Sequence, residues 1–425
     1  MKILRVGICV LLSFAVLAYG GVEEWSQGVI EVGFAALLVI WALRTYAGDQ
    51  EGIEISPLLP PLFAFAAVVL VQLIFHRTAS IYDTRMQLQL LIGCIILVIL
   101  LPQAYRRMSH WRGMLWFLMS LGFFVSVFGI LQHLTFNGKL YWFRVMRYGG
   151  YPFGPYVNRN HFAGFAEILI PIALVPLVLG KVRRERLFLV GLFAVVPIVA
   201  LLLSASRGGI ISFTVQLVIL SSLLLVRRLQ SKYMLVGGVL VLCAILAVSW
   251  IGIQEVLLRF SNYQSMDVTM GKRASMRHDT FRIFLDHPAL GTGLGTLQMV
   301  FPPYESNYDA RIVNHTHNDY LEVLAETGLA GGICCLWFLV VLFIESIKGL
   351  KDLGGSFGAA LNLSGLVGCC GLLVHSLVDF NLHIPANALL FFVSAHLATA
   401  RLQTLTSGIP ESAPLHRRTR KVEAS

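Results

Sequence analysis

Along the chain, long apolar runs alternate with short polar stretches, and many of the runs approach the ~20 residues that carry a helix across a bilayer. Runs at 28–43, 58–75, 88–104, 113–134, 162–180, 187–204, 209–226, 233–252, 319–346, 357–375 and 385–400 join a first run within 1–20, which predicts about twelve spans. The fold class that follows is an all-α integral membrane protein. Lys2 and Arg5 ahead of the first run also fit a signal peptide, with Ala18-Tyr19-Gly20 as a passable cleavage site; a retained first helix is the reading adopted. Two polar stretches, 135–161 and 253–318, are longer than the rest. They divide the chain into N-terminal helices (1–134), a first loop, central helices (162–252), a long loop expected to hold short amphipathic helices, C-terminal helices (319–406) and a disordered polar tail (407–425).

Composition agrees. With 56% hydrophobic and 13% charged residues and a mean hydropathy of +0.74, a soluble protein is excluded. The net charge of +10 raises nucleic acid as a partner, but no basic run is interleaved with aromatics, so none is expected. The basic residues instead sort by side. With the N-terminus in the cytoplasm, the alternate loops hold Lys2 and Arg5, Arg44, Arg106 and Arg107, the cluster at 181–186, Arg227 and Arg228, and Lys348 and Lys351. That is the positive-inside pattern, and it puts both termini in the cytoplasm and the two long loops at the periplasm or cell exterior. All seven cysteines lie in apolar runs, so neither a disulfide framework nor a thiolate metal site is indicated.

The stretch RIVNHTHNDYLEVLAETGLAGG (311–332) concentrates chemistry. His315 and His317 run into Asn318-Asp319, and a helical apolar pattern follows through Leu321, Leu324, Ala325 and Leu329. Asp319 and Glu322 have capping-box spacing, which starts a helix directly after the histidines and places imidazoles beside free N–H groups where an anion such as pyrophosphate can bind. The plain alternative is a polar loop entering a membrane helix. In the first loop, Asn158, Arg159, Asn160 and His161 sit among aromatics and glycines. In the second, MGKRASMRHDTFRIFLDHP reads as a short amphipathic helix with Arg273 and Arg277 on one face and Phe281, Phe284 and Leu285 toward the membrane surface. Pro288 ends it, and GTGLG (291–295) reads as a flexible turn.

Arg207, in SASRGG, occupies a short outer turn against the topological bias, with glycines that allow close backbone approach; a snorkelling interfacial arginine is the alternative. His375, Asp379, Asn381 and His383 form a further polar cluster, read as a hydrogen-bond network bracing the site ahead of a catalytic one. Helix centres are almost free of charge, Glu167 being the main exception, which argues for chemistry at the outer face rather than passage through the protein. His-x-His can ligate zinc, but no cysteine or carboxylate accompanies it at usual spacing, so no metal and no cofactor are expected.

The motif H-x-H-N-D-Y-L-E-x-L-x-E-x-G-L-x-G resembles the signature of the O-antigen ligase and polymerase superfamily of inner-membrane glycosyltransferases. SRGG at 206–209, R-x-x-x-F-x-x-F-x-x-H-P-x-L-G-x-G at 277–293 and NRNHFAG at 158–164 follow the family's order, and the resemblance covers about 158–400. It implies an inverting, metal-independent transfer of a glycan from undecaprenyl pyrophosphate on the periplasmic face, to lipid A-core in a ligase or to a growing glycan in a polymerase. His317 matches the catalytic histidine, and Arg207 and Arg277 match the arginines that hold the pyrophosphate. His315, Asn318, Arg273, Asn158, Asn160, His161, Asp379 and Asn381 are the accompanying substrate-binding candidates. Arg282 and Gly293 have the R-x10-G spacing associated with polymerases, but the first loop has no counterpart, and the single long outer loop favours ligase. Proteins read as small-anion (bicarbonate-like) transporters also resemble this superfamily.

Overall fold

The computed structural model describes residues 1–48, 52–146, 151–226, 263–308, 312–351 and 356–402, together with Gly238, Leu242 and Leu353. The expected span at 233–252, Cys243 and the tail at 407–425 lie outside these segments. Twelve helices of eight or more residues are described: α1 (Lys2–Leu17), α2 (Glu24–Tyr46), α3 (Leu59–Ile74), α4 (Ile81–Ala104), α5 (Met108–Leu134), α6 (Arg159–Val178), α7 (Leu187–Leu203), α8 (Arg207–Val226), α9 (Tyr263–Asp286), α10 (Asp319–Gly349), α11 (Phe357–His375) and α12 (Pro385–Thr399). Among the described residues there is no strand, only two isolated bridges in the first loop, Leu140 with Arg144 and Phe153 with Tyr156. The described cysteines are all free.

Among the described residues, eight helical stretches are long and apolar enough to cross a bilayer: α2, α4, α5, α6, α7 with the turn before it, α8, α10 and α11. Of the other four expected spans, 233–252 lies outside the described segments and three are shorter helices. α1 and α3 have 16 residues and α12 has 15, so at 1.5 Å per residue they reach about 24 Å, short of a ~30 Å hydrocarbon core. Pro60 and Pro61 sit in the first turn of α3 and Pro385 opens α12, positions where the missing N–H costs no helical hydrogen bond. The chain is a helical membrane protein by this content of apolar helices.

α6 is the axis of the bundle. Every residue from His161 to Val178 is buried, and α5, α7, α8, α11 and α12 pack around it. Pro171 within α6 removes the N–H that would bond the Glu167 carbonyl four residues back. Gln216 on α8 supplies the missing donor at 2.9 Å and bonds the Val367 carbonyl of α11 equally, tying three helices with one amide.

α10 is broken, not continuous. Gly328 has φ 63° and ψ −162°, which separates Asp319–Thr327 from an apolar helix, Leu329–Gly349, about 32 Å long. The glycine loop after α9 docks into this break rather than flexing as expected. Leu329 N donates to Pro288 O (2.8 Å), Thr292 N to Ala325 O (3.1 Å) and Gly293 N to Glu326 O (2.9 Å). Gln72 of α3 closes the joint from behind, donating to Leu290 O (2.5 Å) and Glu326 O (2.7 Å). α9, at 24 residues, is longer than the short helix expected, and it packs on α10 through Ile283, with Phe284 against the same small core; Phe281 and Leu285 stay exposed.

A side chain at Gly328 would enter this joint: its Cβ would lie 2.5 Å from the Ala289 backbone, in a backbone region that costs about 1–3 kcal/mol without glycine. Gly328→Ala should therefore lower the thermal midpoint and yield of detergent-purified protein. Gly113→Ala on α5, with nothing within 4 Å, should leave both unchanged or slightly raised. Equal midpoints for the two variants would remove the argument for a rigid joint.

Candidate active site

The loop ahead of α10 is fixed by its own helix and by the turn that follows α11. Asn318, one residue before the Asp319 start, caps the helix, accepting from Leu321 N at 3.0 Å and donating to Leu377 O at 3.1 Å. Asp319 N donates to Ser376 O (2.9 Å). The capping box expected from Asp319 and Glu322 is not formed. Asn318 already supplies the cap, and both carboxylates are drawn to other donors. His317 takes φ 53°, a left-handed conformation rare outside glycine, and brings Nδ1 to 3.1 Å from Asp379 Oδ1.

Asp379 is 1% exposed and heavily partnered. Asn160 donates to Oδ2 at 2.5 Å, Phe380 N to Oδ1 at 2.9 Å, and His161 Nε2 stands 3.9 Å away. Burial works against its charge, but the hydrogen bond from His317 and the neighbouring imidazoles outweigh it and hold the carboxyl well below the usual carboxylate range. An ionised carboxylate only accepts, so His317 Nδ1 carries the hydrogen and Nε2 is left to accept a proton.

A second set of groups lies beside the first. His315 Nδ1 is 2.6 Å from Glu322 Oε1; Glu322 Oε2 takes Thr316 N–H (3.0 Å) and its hydroxyl (3.2 Å). His383 places Nε2 3.4 Å from Glu322 Oε1 and Nδ1 2.7 Å from Asp319 Oδ1. Burial pushes the His383 pKa down, but the charge of Glu322 and the hydrogen bond and charge of Asp319 prevail and raise it to about 10. His315, Glu322 and His383 have the composition of a two-histidine, one-carboxylate metal site, their donor atoms lying within 4.8 Å of one another. The 2.6 Å contact is a hydrogen-bond distance; donors that share a tetrahedral ion at ~2.1 Å lie about 3.4 Å apart.

Phe380 separates the two sets. His315 stacks on it at 4.1 Å between centroids, His161 meets it edge-on at 4.7 Å, and His317 lies at 5.1 Å. These rings line a polar cavity of about 1430 Å³ together with Asn158, Asn160, Arg273, Arg144 and Arg159. An apolar cavity of about 400 Å³ between α3, α4, α10, α11 and α12 adjoins it, since Gln87 and His383 line both.

The structure sorts the expected site residues. His315, His317, Asn158, Asn160 and His161 line the polar cavity, and Asp379 supports it from behind. Asn381 is wholly buried, bonded to Asn387 (3.0 Å). Arg273 lines the cavity and donates to Val378 O at 3.0 Å, whereas Arg277, one turn along α9, is not among the lining residues. Arg207 opens α8 at the same turn: a Cβ on the adjacent Gly208 would lie 2.7 Å from His375 Nε2 and 3.0 Å from Val378 Cγ2. His375 is itself paired with Glu167 at 3.0 Å, both buried inside the bundle. Sequence reasoning read Asp319 and Glu322 as a capping pair and His383 as part of a bracing network, and missed their pairing at the cavity. The signal was present: Asp319, Glu322 and Glu326 stand at i, i+3 and i+7, one face of an otherwise apolar helix.

Residues 168–336 match the model of a family described as O-Antigen ligase. No curated protein matches the chain. The match bears out the resemblance to the O-antigen ligase superfamily. It covers Arg207, Arg273, Arg277, His315, His317 and Glu322, and ends before Asp379 and His383.

The raised pKa of His383 carries a pH signature. Its folded value of about 10 exceeds an unfolded ~6.5, so its pairing adds stability that is complete below about pH 6.5 and lost as pH rises through about 10. The difference in thermal midpoint between wild type and His383→Gln should be widest near pH 6 and shrink toward pH 10. A difference that stays constant over this range would mean the ring is uncharged in the fold.

Proposed function

We propose that the chain is a membrane glycosyltransferase that moves a glycan from undecaprenyl pyrophosphate to an acceptor at the periplasmic face of a bacterial inner membrane. The observation that carries this reading is the His317–Asp379 pair, opening on a polar cavity that adjoins an apolar one. A lipid pyrophosphate presents an anionic head and an apolar chain, and the two adjoining cavities suit these two parts.

In this reading the displacement is inverting and metal-independent. His317 Nε2 takes the proton of the acceptor hydroxyl as the oxygen attacks the anomeric carbon. Asp379 fixes the ring's tautomer and stabilises the imidazolium. Arg207 and Arg277 bind the pyrophosphate, with Arg273, already at the cavity wall, beside them. Arginine suits that task because it stays charged and offers two parallel donors to phosphate. Pyrophosphate is a good leaving group, so the site mainly has to position the reactants and offset charge. Asn158, Asn160 and His161 are then contacts to the sugars, and the expected placement of both termini in the cytoplasm puts the site on the periplasmic side.

The acceptor proposed is lipid A-core, which makes the chain a ligase, with polymerisation of the O-antigen or an exopolysaccharide as the alternative within the superfamily.

In a host lacking the gene, wild-type protein should restore long-chain lipopolysaccharide on a gel, and His317→Ala, at equal membrane abundance, should not. Asp379→Asn should lower transfer by about 10²-fold or more. A core bearing a single repeat in the deletion strain would make the chain a polymerase. Transfer that survives both His317→Ala and Arg207→Ala would end this mechanism, and solute flux in proteoliposomes would then favour the small-anion transporter. Chelation with EDTA should leave transfer by the purified protein unchanged. Loss restored by a divalent ion would replace the metal-independent step with chemistry at His315, Glu322 and His383.

A further inference from the structure

His317 is not the only imidazole in the cavity with a buried carboxylate behind it. His315 Nδ1 lies 2.6 Å from Glu322 Oε1, Glu322 is 1% exposed, and Glu322 is itself held by Thr316 and His383. His383 passes the connection to Asp319, so four side chains form a chain of two hydrogen bonds and one ion-pair contact from the buried face of α10 to the cavity wall. Ionised Glu322 can only accept, so His315 Nδ1 carries a hydrogen. His315 Nε2 makes no hydrogen bond to any described residue, and it is the atom able to give a second proton to the cavity.

The proposed transfer creates a need for that proton. A glycan-linked polyprenyl pyrophosphate leaves with one negative charge more than it arrives with. It leaves beside Asp319, Glu322 and Asp379, where added negative charge is unfavourable. Resting on the transferase reading above, we propose that His315 is the proton donor to the departing pyrophosphate while His317 collects the proton of the acceptor.

The step balances. The acceptor O–H bond breaks and its proton goes to His317 Nε2. The anomeric carbon exchanges its bond to the pyrophosphate oxygen for one to the acceptor oxygen. The pyrophosphate oxygen takes a proton from His315 Nε2. Exchange with water then returns both rings to their starting states.

The charged and titratable groups around His315 come from four directions. Glu322 and Asp319 lie on α10, with Glu326 one turn behind, and His383 lies on the turn before α12. His161 and His317 share its contact with Phe380, and Asp379 stands behind His317. Across the cavity the charged walls are Arg144, Arg159, Arg273, Glu23 and Glu24.

The test is kcat for full-length protein in detergent, with saturating acceptor and either a synthetic polyprenyl-pyrophosphate glycan or its polyprenyl-monophosphate counterpart. His315→Gln should lose about 10²-fold in kcat on the first donor and more on the second, whose leaving group is poorer. The proposal is overturned if His315→Gln loses equally on both donors or changes KM alone. An inactive His317→Ala beside an unaffected His315→Gln would sink this proposal only; an active His317→Ala would sink the transferase reading.

Discussion

Three buried carboxylates on one face of a short helical segment organise this molecule. Asp319, Glu322 and Glu326 are each at most 2% exposed, and a charge taken out of water must find partners. The partners come from three distant places. Leu382 N and His383 serve Asp319; Thr316, His315 and His383 serve Glu322; Gly295 N and Leu297 N serve Glu326. Removing one side of a buried histidine–carboxylate pair costs about 3–5 kcal/mol, so the attachments of Asp319 and Glu322 are strong enough to hold their loops. The orientation of His315 follows from this requirement, and that of His317 from the same requirement at Asp379.

The break at Gly328 belongs to the same arrangement. A continuous helix would spend the Ala325 and Glu326 carbonyls on Leu329 N and Ala330 N, and Thr292 N and Gly293 N of the glycine loop would lose the acceptors they bond here. With the break, the polar segment Asp319–Thr327 is separated from the apolar helix that follows. Charged chemistry and membrane crossing thus sit on adjacent but distinct pieces of one run of sequence. On the other side of the site, Glu167 and His375 pair inside the bundle where Gly208 lets α8 approach. That contact fixes the helix end that bears Arg207.

The sequence discloses the local part of this design and conceals the rest. The helix beginning immediately after His317, the stop at Pro288 and the apolar helices are local patterns, read over a few residues or turns. Pairing is not local: His317 and Asp379 are 62 positions apart, and His383 and Asp319 are 64. Asp319 and Glu322 fit a capping box because that motif depends on spacing alone, while the stronger donors that claim them come from elsewhere in the fold. GTGLG looks flexible for the same reason, since glycines that permit motion also permit the close docking seen here. Three of the expected spans are helices of only 15 or 16 residues, because hydropathy reports apolar stretches and not helix length. Arg273 and Arg277 share a face in sequence, and only the tertiary contact with Val378 separates them.

A site for an anionic substrate built against several carboxylates faces a direct electrostatic conflict. The arrangement reduces it by depth. Asp379 and Glu322 are buried, and it is His317 and His315, in hydrogen-bond contact with them, that line the cavity. At an effective dielectric of about 20, like charges repel by about 4 kcal/mol at 4 Å but only about 2 kcal/mol at 8 Å, so an interposed imidazole roughly halves the penalty. The same ring that screens the carboxylate is also held in one tautomer by it, with its outer nitrogen free for proton transfer. The burial that makes these carboxylates costly is therefore what makes them tolerable beside an anion. The arginines at the cavity wall, Arg144, Arg159 and Arg273, then supply the positive charge that the imidazoles do not.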